Sequence, residues 1–208
     1  MKGKLICIEG ADGVGKSTLF DNLKKEYKNK NYKFYIDDGS LELCDKIKQI
    51  VTNYEMNATS QTLLFTACRY EVYQKVKEDL SNGINVIMDR SYYSTIVYQG
   101  FCGGQDYGYI MDINRDIPMA DILIILNCEY EKVECRLNKK DTLDLFEKDN
   151  FIKQKARAGY IALYNNNIEG IKIPKNTILI DTSMKTQYDT LFEVNDYLNK
   201  VVGDKKWL

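Results

Sequence analysis

The string Gly10-Ala11-Asp12-Gly13-Val14-Gly15-Lys16-Ser17 gathers three glycines, a lysine and a hydroxyl into one short stretch. Glycines let successive backbone N–H groups close around phosphate oxygens, and a helix starting where the string ends adds partial positive charge. Lys16 would reach the β- and γ-phosphates of a nucleoside triphosphate. The Ser17 hydroxyl would ligate magnesium, and Thr18 would continue the helix. The flanks agree with this reading. Apolar LICI at 5–8 precedes the string and a helical stretch at 17–30 follows it, the strand–loop–helix setting that the GxxxxGK[ST] pattern requires. The implied ligand is ATP or GTP.

A second reactive pair, Asp89 and Arg90, follows the apolar run VIM at 86–88. Side chains at the carboxyl end of a central strand point into the crevice where open α/β sheets bind ligands. There Asp89 can hold magnesium or its water, and Arg90 can clamp a second phosphate. Two phosphate sites facing each other describe a kinase for a phosphorylated acceptor. Phe65 and Arg69 lie four residues apart on one helix face. A ring that stacks on a base, beside a guanidinium on its carbonyl edge, would read a pyrimidine. Read from the residues alone, Phe65 can equally be core and Arg69 a solvated charge.

Other nucleotide-binding classes fit less well. Asn138-Lys139-Lys140-Asp141 matches the guanine-reading NKxD pattern, but a helix predicted over 129–137 separates it from the preceding strand. The strand at 85–89 continues as Asp89-Arg90-Ser91-Tyr92 rather than DxxG, so a GTPase switch is rejected. A motor ATPase would end that strand in an acidic pair, and here arginine follows aspartate.

Strands are predicted at 5–8, 86–88, 122–126 and 178–180, with a weaker one at 32–36. Short, unalternated apolar runs of this kind suit parallel strands buried on both faces. Helices are predicted over 17–30, 41–53, 59–81, 129–137, 150–168 and 187–200. In the third, Leu64, Cys68, Val72, Val76 and Leu80 form an apolar stripe, and Ser81-Asn82-Gly83 ends it. The alternation implies an α/β fold, a parallel sheet between helices. With no repeat, linker or low-complexity tract, residues 1–208 are read as one domain.

Composition narrows the function classes. Lysine plus arginine number 29 and aspartate plus glutamate 30, a balance that argues against a nucleic-acid surface. The six cysteines form no CxxC pair and there is no histidine. That removes zinc sites of the usual spacing, the usual general base and the Ser-His and Cys-His nucleophile pairs. Chemistry must then rest on positioning, carboxylates, cations and a metal. No apolar stretch approaches the roughly 18 residues of a membrane span, and no leader-like segment opens the chain. The expected address is cytoplasmic.

Four segments together resemble the thymidylate kinase family along nearly the whole chain: IEGADGVGKST at 8–18, LLFTACR at 63–69, DRSYYSTIVYQG at 89–100 and ILIDTS at 178–183. The resemblance implies a three-layer α/β/α domain with a five-stranded parallel sheet and a short lid near 138–150. It implies ATP and magnesium as cofactors, dTMP as acceptor, and a homodimer without nucleic-acid or membrane partners. By resemblance, Asp12 would meet the acceptor sugar 3′-hydroxyl and Tyr98 would crowd the 2′ position. Ser94 and Gln99 would line the acceptor site, and Arg136 would lie near the adenine or phosphates. Arg115 and Arg157 receive no role and default to the surface.

The chain departs from the family in two places. After the second strand the family carries an arginine motif, whereas Asp37-Asp38-Gly39-Ser40 stands here. Two anions should weaken a clamp on the acceptor phosphate unless another cation arrives, leaving Arg90 to carry it. In the lid, Leu145 occupies the place of an arginine, and Lys139, Lys140 and Lys148 are the available cations. Lysine supplies point charge without a bidentate fork; the same run also reads as a solvated loop. Three activities follow as alternatives: dTMP phosphorylation, phosphorylation of a deoxynucleoside or another deoxynucleoside monophosphate, and nucleotide binding without turnover.

Overall fold

Leu5–Glu9 (β1) and Ile122–Asn127 (β4) are buried at every position, as strands covered on both faces must be. The computed structural model describes residues 2–138 and 145–202. With Tyr32–Ile36 (β2), Asn85–Asp89 (β3) and Asn176–Asp181 (β5), these strands form one sheet. Its order is β2-β3-β1-β4-β5, and every neighbouring pair is parallel. Ile8 pairs with Asp89 and Ile36 with Asp89. The register therefore brings the loops after β1, β2 and β3 together at one edge of the sheet.

Helices flank the sheet: α1 (Lys16–Glu26), α2 (Glu42–Asn53), α3 (Ala58–Ser81), α4 (Tyr92–Thr95), α5 (Tyr107–Ile113), α6 (Tyr130–Leu137), α7 (Leu145–Lys148), α8 (Asn150–Tyr164) and α9 (Gln187–Val202). Helix α4 runs on as a π-helix over Ile96–Cys102. Helix α1 packs with α9, while α3 and α8 pack on the π-helix and the sheet. Of the stripe expected on α3, Cys68, Val72, Val76 and Leu80 are buried, and Leu64 is half-buried. Burying each Val or Leu of this kind is worth roughly 1.5–3 kcal/mol. Asn57 caps α3 by accepting from the Ser60 N–H at 2.8 Å. Gly83, at φ 79°, turns the chain away at its other end.

The differences from the predicted elements have local causes. The helix predicted over 17–30 ends at Glu26, and a turn follows in which the Lys30 N–H bonds the Tyr27 carbonyl at 3.0 Å. The helix predicted over 150–168 ends at Tyr164. Asn166 takes φ 54°, a conformation asparagine tolerates, and the Asn167 N–H reaches back to Ala162 at 2.8 Å. Periodicity did not reveal the helical stretches at 92–102 and 107–113: the first is buried or half-buried throughout, so no polar face alternates with an apolar one, and the second is short with a single buried position. The lid predicted at 138–150 falls partly, and Lys139 and Lys140 wholly, outside the described residues.

Candidate active site

The loop after β1 holds its shape through backbone conformations that side chains resist. Gly13 sits at φ 77° and Gly15 at φ 105°. A Cβ on Gly10 would lie 2.4 Å from the Leu126 carbonyl oxygen, so only glycine fits there. Helix α1 begins at Lys16 immediately after the loop, and the N–H groups of a helix start are suited to receive an anion. Lys16 is 6% exposed, and its ammonium donates to the Ala11 carbonyl at 2.8 Å. Burial, and after it the Arg90 charge, lower its pKa from 10.5 to about 8.

Beside the loop lies a cleft of about 520 Å³. It is lined on the loop side by Asp12, Gly13, Gly15, Lys16, Ser17, Thr18 and Arg136. From the other side come Phe65, Arg69, Asp89, Arg90, Ser94, Tyr98 and Gln99. Most of the residues singled out in the sequence therefore meet in one cavity. Gly10, Ala11 and Val14 belong to the loop but do not line this cleft; Val14 lines a neighbouring cavity of about 290 Å³ with Thr18, Arg136 and Thr182. Arg136 ties the loop to the turn after β5. Its Nη1 donates to the Gly13 carbonyl at 3.2 Å and its Nη2 to the Thr182 carbonyl at 2.8 Å.

Arg90 takes φ 70°, a left-handed conformation that costs a non-glycine residue roughly 1–2 kcal/mol. Its N–H is anchored to the Ile8 carbonyl at 2.9 Å. The guanidinium is placed by neighbours: Nη2 meets Asp12 Oδ1 at 2.5 Å, and Nη1 donates to Ser94 Oγ at 3.0 Å. Tyr98 donates its hydroxyl to the other oxygen of Asp12 at 2.7 Å, and Arg90 stands 5.4 Å from its ring centre. Asp12, Arg90 and Tyr98, distant in sequence, form one hydrogen-bonded unit.

Asp89 is 8% exposed, and its Oδ1 is buried without a hydrogen-bond partner. Burial raises its pKa, opposed by Lys16 and then Arg90. An oxygen of this kind is costly unless something binds it. With Ser17 on the same cleft, the donor set is all oxygen, which suits magnesium.

Two expectations are corrected. Arg69 is not a solvated charge, although it does line the cleft. It is 1% exposed, and its Nε and Nη2 both donate to Asp37, the shorter contact being 2.7 Å. Nη1 donates to Asn114 at 2.8 Å and Nη2 to Thr95 Oγ1 at 3.0 Å. Nor do Asp37 and Asp38 stand as unpaired anions. Asp37 neutralises Arg69, and Asp38 lies 3.1 Å from Lys48 Nζ. Among the arginines left at the surface, Arg115 is exposed, but Arg157 is half-buried and donates from Nε to the Cys128 carbonyl at 2.9 Å.

Comparison with known proteins agrees with this geometry. The family model described as thymidylate kinase matches residues 8–187. The chain belongs to the thymidylate kinase family. A protein named probable thymidylate kinase from Methanococcus maripaludis is 35% identical over 96% of this chain and 95% of its own length. A thymidylate kinase of Mycoplasma capricolum is 32% identical over 81% of this chain and 84% of its own. Among solved structures, a thymidylate kinase from Candida albicans superposes with a TM-score of 0.78 at 22% identity, covering 96% of this chain and 92% of that one. The five-stranded parallel sheet between helices is thus the fold of this family of nucleoside-monophosphate kinases.

Several site residues escaped the sequence reading. Glu9 is fully buried and accepts from the hydroxyls of Ser91 (2.8 Å), Ser94 (2.6 Å) and Tyr160 (2.9 Å). Burial raises its pKa, against the Arg90 charge and those hydroxyls. Because Ser94 also holds Arg90, Glu9 sits behind the guanidinium as its support. An acid closing a buried apolar strand, immediately before the first glycine, was the available signal. Lys48, Thr95 and Asn114 carried none, since the fold and not a motif spacing brings each to its partner.

Proposed function

We propose that this chain transfers the γ-phosphoryl group of ATP to dTMP, giving ADP and dTDP. The observation that carries the reading is the single cleft in which the Lys16 loop faces the Asp12–Arg90–Tyr98 unit. One side suits a triphosphate and the other a phosphorylated acceptor. Loop N–H groups and Lys16 would hold the donor phosphates, and Arg90 would hold the acceptor phosphate in line with them. Most of the rate enhancement would come from this positioning and from cations already in place as charge spreads in the transition state. Ser17 and Asp89 would hold magnesium, which supplies charge neutralisation between the donor phosphates when bound.

Asp12 and Tyr98 would face the acceptor sugar, and Phe65 would stack on its base. Arg69, locked by Asp37 and Asn114, is read as a fixed edge of the base pocket. Lys139 and Lys140 in the lid are proposed to close over the transferring phosphoryl group and exclude water. Thr18, Gln99 and Arg136 complete the walls.

Residues 1–208 are read as one domain, with a lid near 138–150. Leu43, Ile50, Tyr54 and Leu63 leave large apolar side chains exposed on and beside α2 and α3, in keeping with a homodimer. A cytoplasmic location fits the substrates, and among the described residues no helix is long and apolar enough to cross a membrane. The test is ADP release measured with each common nucleoside monophosphate and with thymidine, with and without magnesium. Release that depends on dTMP and magnesium supports the reading. Release with thymidine alone would replace it with a deoxynucleoside kinase.

A further inference from the structure

Cations that line the cleft are mostly committed to neighbours. Arg69 is forked onto Asp37, Arg90 is held by Asp12 and Ser94, and Arg136 by Gly13 and Thr182. Lys48 is different. It rises from α2 on the acceptor side, in the same cleft as Arg90 and Asp89. Its side chain is 44% exposed, and its ammonium lies 3.2 Å and 3.1 Å from the two oxygens of Asp38.

That pair is not an ordinary surface bridge. Lys46 and Glu42, on the outer face of the same helix, are 67% and 84% exposed, the kind of contact that contributes little. Asp38 instead is 8% exposed, in the turn that follows β2, and the lysine is the partner that reaches open space. The Lys48 charge is also felt at Asp89, where it opposes the upward pKa shift imposed by burial. An ammonium has three donors, and Asp38 is its side-chain partner among the described residues.

We propose that Lys48 is the second cation for the acceptor phosphate, and that Asp38 competes with that phosphate for it. A phosphate monoester dianion carries more charge than one carboxylate and draws the ammonium across the cleft. An acceptor without phosphate offers nothing to exchange, so Lys48 stays on Asp38. The pair thereby favours a phosphorylated acceptor over its nucleoside and offsets the anions that follow β2. This rests on the reading of the acceptor given above.

The two partners should act with opposite sign, which loss of structure does not reproduce. Lys48→Met is expected to raise KM for dTMP about tenfold, the scale of one charge-assisted contact. KM for ATP and the inhibition constant for thymidine should stay within twofold, and Lys48→Arg should restore most of the loss. Asp38→Asn is expected to lower KM for dTMP about threefold. Since Asp38 is buried, its thermal midpoint is measured alongside; if that variant does not fold, the Lys48→Met and Lys48→Arg pair decides. An unchanged dTMP KM in Lys48→Met, or an equal weakening of thymidine, would overturn the proposal. Titrating dTMP and thymidine into each protein by calorimetry separates the two levels. A wild-type chain that binds dTMP without releasing ADP contradicts the proposed turnover alone. Equal dTMP affinity in wild type and Lys48→Met contradicts the role of Lys48 alone.

Discussion

The two halves of the cleft, proposed for donor and acceptor, are built on different principles. The donor half is one continuous loop, made by glycine conformations and a helix start, with Lys16 folded back onto the carbonyl of Ala11. The acceptor half is assembled from ion pairs across the chain: Asp12 with Arg90, Asp37 with Arg69 and Asp38 with Lys48. A backbone cradle serves any triphosphate, whereas paired charges can be exchanged, locked or redirected. In the proposed reaction, generic binding would sit in the loop and acceptor choice in the pairs.

The largest expected effect tests whether the acceptor half needs its pairs to fold. Asp37→Ala leaves the Arg69 charge buried without its partner and should destabilise the protein by about 3–5 kcal/mol, read from urea unfolding. The double variant Asp37→Leu/Arg69→Met, which removes both charges, should recover most of that loss. Recovery of nothing would mean that the coupling is not electrostatic.

Next come the two cations assigned to the proposed reaction. Lys16→Ala and Arg90→Ala should each lower turnover at least about a hundredfold, typical of lost charge stabilisation. They should differ in binding: Lys16→Ala weakens ATP, and Arg90→Ala weakens dTMP while ATP binding persists. Loss of the same ligand in both would erase the division between the halves.

A smaller effect depends on pH. Lys16 in the free protein is charged below about 8 and neutral above it, because burial disfavours the ammonium. Bound phosphates favour the charged form. ATP affinity should therefore fall as pH rises through about 8, by up to roughly tenfold per unit. Lys16→Arg, which keeps its charge, should show a flat profile. The smallest effect is at Tyr98. Tyr98→Phe removes one hydrogen bond to Asp12, worth about 0.5–1.5 kcal/mol. It should raise KM for dTMP by about two- to tenfold with little change for ATP.

This division also explains what the sequence revealed. The loop at 10–17 was legible because its chemistry is contiguous, and the central strands because burial on both faces leaves unbroken apolar runs. Asp89 and Arg90 were legible because they end such a run. The partners of Arg69 were not. Nothing in the types of Asp37, Thr95 or Asn114 marks them as meeting one guanidinium, since that contact is made by the register of β2 beside β3 and by the helical turn at 92–102. For the same reason Asp37 and Asp38 read as a deficit of positive charge, when each has a cation brought to it by another helix. The π-helical turn carrying Tyr98 and Gln99 was hidden because its spacing is neither 2.0 nor 3.6.

In the proposed reaction, one cleft joins a triphosphate site to a site for a phosphorylated deoxypyrimidine. The most direct test is ADP release by the purified chain with ATP and magnesium, comparing dTMP with the other nucleoside monophosphates and with thymidine. The expected release requires magnesium, is fastest with dTMP, and falls at least about a hundredfold in Arg90→Ala. Release indifferent to the acceptor, or equally fast with thymidine, would contradict that reaction.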